Sequence, residues 1–398
     1  MVYIPVSNTA NRITLHDELH TCYLLYRVSK ESIGTINSSS YLAVSKKANP
    51  NIERLIQKRR TYFILSFILL FGSSVIAQQR PYYTQYIMNN YIINPAVAGI
   101  ENYWDMKLSH RMQWVGLQDA PVTTYITLQG PIRKAAYNNE TATSFHAYGE
   151  NPRGKNYWSE YTAPEPHQGI GFTMLNDKTG PLNRFAVYGT YAYHLGLSPT
   201  TSLSAGISAG FTNLSLDASK LNFGTTSVDP AVAGSGLINT LKPDISAGLW
   251  LYSKDYFLGI AAQQIVPQQV AFSDNTVYLE KGKLVPHLFF SAGYRMPVSD
   301  DISFLPSALI RYINPLPIGF DLNAKLQYQD LLWVGTSYRF QDGFAAMAGF
   351  NINNTINVGY SYDIQTSQLN TVSKGTHEIL IGFLLGNKYG DWCPRNMW

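Results

Sequence analysis

The sequence predicts an all-β protein, a transmembrane antiparallel β-barrel of fourteen strands. Charged residues make up only 14% of the chain, against roughly 25% in soluble proteins. Aromatic residues reach 13%, with 28 Tyr and 30 Gly. A surface that faces lipid needs few charges, and a chain without a long apolar run after its N-terminal region fits a barrel. Composition leaves one alternative open, a soluble all-β protein with a Tyr-rich surface.

Strands are predicted from segments of roughly ten residues in which apolar and polar residues alternate. The clearest segment runs from Phe320 to Gln329, with Leu322 and Leu326 on one face and Asn323 on the other. Its length matches the ~9–11 tilted residues that cross a bilayer, whereas strands average about 5–6 residues in globular proteins. Many segments end in an aromatic residue, where an interfacial girdle would lie. These features favour a membrane barrel over a sandwich.

Fourteen such segments can be counted, an even number, as a bacterial barrel with both termini in the periplasm requires. With a periplasmic N-terminus, the connections after strands four, six, eight, ten and twelve should be short. They are short, and the connections after strands five, seven and thirteen are long, as outer loops should be. The predicted strands begin near Tyr103, Val122, Gln168, Arg184, Thr201, Asp244, Asp255, Pro286, Asp301, Gly319, Leu331, Gly343, Thr355 and His377.

One connection departs from this alternation. Residues 131–167 join the second and third strands on the side where turns should be short. The segment is rich in Asn, Tyr, Pro and Gly. It is either an inserted periplasmic loop or the place of an overlooked strand pair.

The N-terminal region predicts export. Lys58, Arg59 and Arg60 precede the apolar run of residues 61–76, and Val75 and Ala77 occupy the −3 and −1 positions of a cleavage site. This pattern is typical of a signal peptide over residues 58–77, cleaved after Ala77. The run is shorter than the ~20 residues of a spanning helix. Residues 1–57 are expected to be disordered, and they reflect either a start site assigned too early or a long n-region.

The charge balance excludes one class of partner. The whole chain has a net charge of +4, but residues 1–77 contain nine Lys/Arg and four Asp/Glu. The remaining chain has 21 basic and 22 acidic residues. No basic field remains that would attract nucleic acid.

Several motifs occur in a fixed order after the predicted cleavage site. Through this ordered set of motifs, the chain resembles the PorP/SprF family of type IX secretion-system membrane proteins over residues 78–398. The long insertion departs from the family pattern and bears on whether the usual partner docks. The motifs are NYIINPAVAG at 90–99, RMQWVG at 111–116, APVTT at 120–124, GIGF at 169–172, NDKTGP at 176–181, YAYHL at 191–195, HEI at 377–379 and CPR at 393–395.

The resemblance implies an outer-membrane barrel of a Gram-negative bacterium, exported by the Sec route. It implies a periplasmic lead-in or plug at residues 78–102, a barrel at 103–390 and a tail at 391–398. Partners would be periplasmic and outer-membrane components of the machinery and a secreted cargo or adhesin. No catalytic, metal or cofactor residues follow from it. Residues for possible partner docking are Asn94, Pro95, Gly99, Arg111, Trp114, Gly116, Asn176, Asp177, Gly180 and Pro181.

Three functions can be compared on these grounds. The first is a non-enzymatic component of the secretion or gliding machinery that supports export or surface attachment of a specific cargo. The second is a channel for a small solute, of the fatty-acid-channel or porin type. The third, a hydrolase, needs a Ser/His pair with an orienting carboxylate, and the sequence offers no such signature.

Overall fold

A computed structural model describes residues 83–132, 163–220, 237–266, 268–269, 283–314, 316–329, 331–353 and 355–386. The upstream segment, the signal peptide with Ala77, most of the insertion and the tail lie outside these residues. Among the described residues, no helix is both long enough and apolar enough to cross a bilayer.

The described chain forms fourteen long strands, so the predicted strand number is confirmed. They are β1 (Trp104–Met112), β2 (Val122–Ile132), β3 (His167–Thr179), β4 (Leu182–Ser198), β5 (Thr201–Asp217), β6 (Leu237–Ser253), β7 (Tyr256–Gln263), β8 (His287–Tyr294), β9 (Ile302–Ile313), β10 (Gly319–Tyr328), β11 (Leu332–Arg339), β12 (Gly343–Asn351), β13 (Ile356–Gln365) and β14 (Thr376–Leu385). Met296–Pro297 also pairs with β9, and Gln268–Gln269 pairs with Lys283–Leu284.

The strands close into a barrel. Each strand pairs antiparallel with its neighbours in sequence, and β1 pairs with β14 from Trp104↔Leu385 to Met112↔His377. Every strand therefore has a partner on both sides, and no strand edge is left to expose unpaired backbone groups to lipid. The predicted antiparallel barrel is confirmed.

The polarity of the wall is the reverse of that of a soluble protein. In β1, Asp105, Ser109 and Arg111 are buried inside the barrel. In β10, Asp321 and Asn323 are likewise buried. The alternate residues, including Leu322 and Leu326, are exposed on the outer surface. This arrangement suits lipid outside and polar contacts inside.

Connection lengths give the barrel its orientation. At one end, the long connections after β5 and β7 lie beside a short exception, the β3–β4 turn at 180–181. The turns 199–200 and 254–255 lie at the other end, together with the start of β1 and the end of β14. Since bacterial barrels place short turns and both termini on the periplasmic side, this is the periplasmic end, and the opposite end is called the outer end.

The insertion adds no strand to the barrel wall. β2 pairs directly with β3 from Val122↔Lys178 to Ile132↔Gln168. Because both strands already have two neighbours, the wall has no place for a further strand pair between them. The barrel wall therefore has no overlooked strand pair between β2 and β3, and the flanking residues Ile132 and His167 lie at the periplasmic end.

The predicted start of β6 near Asp244 is wrong, because the strand begins at Leu237. The apolar-outward pattern stops before the strand does: at the outer end, neighbouring strands present the polar row Lys178, Asn183, Ser215 and Asn239. A prediction that requires apolar residues facing outward misses strand segments that extend past the lipid.

Residues 83–103, called the lumen segment below, fold inside the barrel. They contain three short 3-10 helices, Gln85–Met88, Asn90–Ile92 and Pro95–Val97. One apolar cluster joins Tyr91, Ala96 and Ala98 to Trp250 and Phe257 of the wall. The segment thus forms an apolar core together with the apolar side chains of the inner wall.

Candidate functional site

Asn94 fixes the third short helix of the lumen segment to the barrel wall. Its side-chain oxygen accepts a hydrogen bond from Ala96 N at 3.0 Å, and Pro95 occupies the first helical position, where its missing N–H costs nothing. Its amide nitrogen donates to Leu249 O at 3.0 Å and to Ile260 O at 3.2 Å. One side chain therefore both caps a helix and binds two wall strands.

Glycines of the inner wall make room for this helix. A Cβ at Gly206 would lie 2.5 Å from Ala96 N, and a Cβ at Gly248 would lie 2.0 Å from the Asn94 side-chain oxygen. At Gly169 it would lie 1.9 Å from Ala98 O. Real Cβ atoms do not approach so closely, so the small-residue face of these strands is required by the lumen segment.

Polar wall side chains bind the backbone of the NPAVAG motif. Ser204 Oγ donates to Ala96 O at 2.7 Å, and His194 Nε2 lies 2.8 Å from Ala98 O. His167 Nε2 lies 3.1 Å from the carbonyl oxygen of Gly99, whose N–H donates to the Gln129 side chain at 2.6 Å. The two histidine rings stack at 4.4 Å. These contacts satisfy backbone groups that are shielded from water.

Gly99 allows the chain to turn out of the lumen and into β1. Its φ is +82°, a left-handed conformation that glycine adopts without a steric penalty.

A charged cluster binds the other end of the lumen segment. Arg111 Nη1 donates to Glu378 Oε2 at 3.0 Å, and Nη2 donates to Asp363 Oδ2 at 2.6 Å. Thr84 N donates to Glu378 Oε2 at 2.8 Å, and Thr84 Oγ1 donates to Asp363 Oδ2 at 2.7 Å. Arg339 Nη2 approaches Thr84 Oγ1 at 3.3 Å. The charges are buried but are paired and hydrogen-bonded, as burial requires.

Tyr86 lies in the sequence between Thr84 and Asn94, the two residues that anchor the lumen segment to the wall. Its hydroxyl accepts a hydrogen bond from Asn323 Nδ2 at 2.5 Å. Burial, followed by the nearby Asp321 carboxylate, raises the pKa of Tyr86 well above its ordinary value. The phenol is therefore neutral in the lumen.

The residues of the RMQWVG motif are divided between the lumen and the outer end of the barrel. Arg111 points into the lumen, whereas Trp114 and Gly116 lie in the β1–β2 connection at the outer end. Trp114 N donates to Thr376 Oγ1 at 3.1 Å, and Val115 N donates to Gly375 O at 2.9 Å. Trp114 has a φ of +50°, which costs a side chain of this size conformational energy. The connection is thus held in one conformation by its contacts with the β13–β14 loop.

The NDKTGP motif forms the β3–β4 hairpin at the same end. Asp177 Oδ1 accepts from Thr123 Oγ1 at 2.6 Å, and Asn176 faces outward beside Thr124. Gly180 N donates to Asp119 O at 3.0 Å, and Pro181 O accepts from Asp217 N at 2.9 Å. The hairpin is bonded to both adjacent connections.

The predicted site residues therefore lie in two groups. Asn94, Pro95, Gly99 and Arg111 are in the lumen, and the other six lie at the outer end, where Trp114, Asp177, Gly180 and Pro181 are hydrogen-bonded to neighbouring strands and connections and form the bonded rim. Sequence reasoning missed several lumen contacts that carry the first group. The sequence did contain a signal for Gly169, Gly206 and Gly248, because they lie on the inward face of strands with alternating residues. The missed residues are Thr84, Gln129, His167, Gly169, His194, Ser204, Gly206, Gly248 and Glu378.

Among the described residues, no three His, Cys, Asp or Glu side chains come together as metal ligands would. The lumen cluster consists of charges paired with one another, and its hydrogen bonds serve to hold the segment in place.

A family model for the type IX secretion system membrane protein PorP/SprF matches residues 75–383. Similar solved structures include the Ralstonia pickettii toluene transporter TbuX (11% identity, 73% of this chain, 92% of that chain, TM-score 0.40). Another is the Acinetobacter baumannii outer membrane protein Omp33 (9% identity, 72% of this chain, 100% of that chain, TM-score 0.38). No curated protein sequence matches the chain.

Proposed function

Because the chain belongs to the PorP/SprF family of type IX secretion system membrane proteins, we propose that it is a non-enzymatic docking component of that machinery. The barrel resides in the outer membrane. It binds periplasmic components at its periplasmic end and supports export or surface attachment of a specific cargo at its outer end.

The occupied lumen is the observation that carries this proposal. Both anchors of the lumen segment are buried, with Thr84 and Asn94 each 1% exposed. Two cavities beside the segment are lined in part by its own tyrosines: Tyr83 and Tyr86 line one, and Tyr83 and Tyr91 line the other. A barrel whose interior is bonded to its own chain is suited to presenting surfaces at its two ends.

The periplasmic end offers exposed apolar side chains to a partner. Val298 is 64% exposed and Ile352 is 53% exposed, and they lie in the β8–β9 and β12–β13 turns. Ile132 and His167, which flank the long β2–β3 connection, lie at this same end. Apolar residues on turns, rather than on the lipid-facing wall, support protein contact there.

The outer end offers the bonded rim described above. Val372, in the β13–β14 loop, is 60% exposed beside the main-chain contacts of Val115. The strained backbone of Trp114 supports a recognition role for this rim, since such strain concentrates at functional sites. We assign cargo contact to this end.

Photo-crosslinking in intact cells tests both assignments. A photoreactive amino acid is placed at Val298 or Ile352 on the periplasmic side, and at Val372 on the outer side. Periplasmic probes should capture periplasmic secretion-system components, and the outer probe should capture one secreted cargo. A matched probe at lipid-facing Leu322, which is 50% exposed, should capture neither.

Deletion of the gene provides the second arm. Surface display of one cargo should be lost while uptake of small solutes and resistance to large antibiotics stay unchanged. Equal crosslinking at all four positions, or a general permeability defect on deletion, would contradict the docking function and favour the solute channel.

A further inference from the structure

The strands at the barrel closure carry a cluster of basic residues on the lipid-facing side. In register, His377 of β14 lies opposite Met112 of β1, Met112 opposite Val122 of β2, and Val122 opposite Lys178 of β3. Side chains in one such row point to the same face of the sheet. Because Met112 is exposed on the outside, His377 and Lys178 also face outward.

This row lies at the upper boundary of the apolar band. The row Val358, Ile381, Leu108, Ile126 and Met174 is wholly apolar. The next row toward the outer end is Tyr360, Ile379, His110, Thr124 and Asn176, and it is followed by the row of His377 and Lys178. The basic residues are therefore at the height where lipid headgroups begin.

Lys374 adds a second lysine above His377. Its backbone N–H donates to Val115 O at 2.7 Å, and its carbonyl accepts from the outward-facing Tyr362 hydroxyl at 3.1 Å. Its side-chain stem passes over Gly116. Lys178 and Lys374 are both exposed, and neither forms an ion pair within the described part of the chain. Asp119, in the β1–β2 connection, is an exposed carboxylate close to the two lysines.

The two histidines are oriented by hydroxyl groups. His110 Nδ1 lies 2.8 Å from Thr124 Oγ1, and His377 Nδ1 lies 2.7 Å from the Tyr360 hydroxyl. A ring whose Nδ1 accepts from a hydroxyl carries its proton on Nε2. Each histidine can then donate from Nε2 to an acceptor outside the barrel.

The other strands end differently at this height. The outward residues at the outer ends of five strands are aromatic or aliphatic: Tyr312, Phe320, Tyr338, Phe344 and Ile364. On β4 to β6 they are Asn183, Ser215 and Asn239. The basic cluster is thus confined to the four strands of the closure.

We propose that Lys178, Lys374, His110 and His377 form a binding site for the phosphate groups of an outer-leaflet glycolipid. The site spans three strand spacings between His377 and Lys178, about 14 Å at the usual separation. Lysines can span this distance with their flexible stems while their ammonium groups stay in the headgroup layer. Uncompensated cations at headgroup height attract anionic lipid.

The position of the basic residues, directly above the lipid-facing apolar rows, favours a lipid over a free anion. Lys178, His110 and His377 leave the outward face of the wall immediately above the apolar rows, and Lys374 extends from the adjoining β13–β14 loop. Acyl chains would lie just below them, beside Leu108 and Ile126. A headgroup held there would bind phosphate to the basic residues and hydrocarbon to the wall at the same time.

The test uses the mature protein in phosphatidylcholine nanodiscs with or without lipid A. Bound lipid A is measured by native mass spectrometry for the wild type and for Lys178→Gln/Lys374→Gln. Each lysine near a membrane surface is worth a factor of about five, so retention in the double variant should fall by tenfold or more. Folding is verified from the heat-dependent gel mobility of the barrel.

Lys220→Gln/Lys242→Gln is the matched control, since both lysines lie toward the outer end of the long strands but outside the cluster. Lys220 is paired with Asp217 at 3.7 Å, and Lys242 faces inward. The control should retain lipid A as the wild type does. Equal retention by both variants, equal binding of dephosphorylated lipid A, or full competition by inorganic phosphate without lipid would each overturn the proposal.

Discussion

Arg111 and Glu378 are direct partners in the register that closes the barrel, and their side chains form a buried ion pair. Arg111 Nη1 donates to Glu378 Oε2 at 3.0 Å, with 3% and 0% of the side chains exposed. Since one residue is on the first strand and the other on the last, this pair joins the two ends of the barrel. It also binds the lumen segment, because Glu378 accepts from Thr84 N.

Arg111→Gln should destabilise the barrel strongly, because Glu378 would keep its buried charge without its arginine partner and Asp363 would keep only the more distant Arg339 at 3.8 Å. Breaking a buried pair costs about 3–5 kcal/mol. Urea unfolding of the purified barrel in detergent micelles measures the loss. Arg111→Gln/Glu378→Gln should recover part of it, and a double variant no more stable than the single one would show that the pair is not coupled.

Alanine at Gly169 or Gly206 should displace the lumen segment. The added Cβ would meet Ala98 O or Ala96 N at less than 3 Å, so the segment must shift. Limited proteolysis from the periplasmic side should then cut within residues 83–103. Gly189→Ala is the control, as nothing lies within 4 Å of the position that its new methyl group would take. Protection equal to the wild type in all three variants would refute the tight fit.

Asn94→Ala should loosen the same segment by another route. It removes one cap and two wall hydrogen bonds, and each unsatisfied buried group costs about 1–3 kcal/mol. Asn94→Asp should be worse, since a carboxylate would face the carbonyl oxygens of Leu249 and Ile260. Hydrogen exchange of the backbone amides of residues 96–99 measures the effect. Slower exchange in Asn94→Asp than in Asn94→Ala would contradict this ordering.

Removal of residues 83–101 should open the barrel to ions. The wild type, with its lumen bonded to these residues, should show little conductance in planar bilayers, whereas the deletion variant should form stable pores. Its strands should still pair, because the wall is continuous without the segment. A highly conducting wild type would instead favour the solute channel.

Replacement of residues 134–162 by a short Gly-Ser linker should leave the barrel folded. Ile132 and Gln168 are already paired at the base of β2 and β3, so the wall needs no contribution from the insertion. Heat-dependent gel mobility and the urea midpoint should match the wild type. Loss of the folded form would show that the insertion is part of the barrel's structure.

The prediction of strands succeeded where the bilayer imposes a local pattern. Segments such as Phe320–Gln329 alternate because lipid and lumen lie on opposite sides of one strand, and this can be detected in ten residues. The same reasoning placed β6 seven residues too late, because above the lipid the outward Asn239 is polar and the pattern no longer applies. Arg339 and Asp363, which both lie on the inward face, form an ion pair at 3.8 Å.

The sequence by itself determined the barrel, its fourteen strands and its orientation, since each follows from alternation and connection length. Only the tertiary structure decided that residues 83–103 occupy the lumen, and that Gly206 and Gly248 are small because Ala96 and Asn94 need the space. It also brought Arg111, Asp363 and Glu378 together from distant parts of the chain. Such contacts depend on closure of the ring, and a pattern confined to neighbouring residues does not encode them.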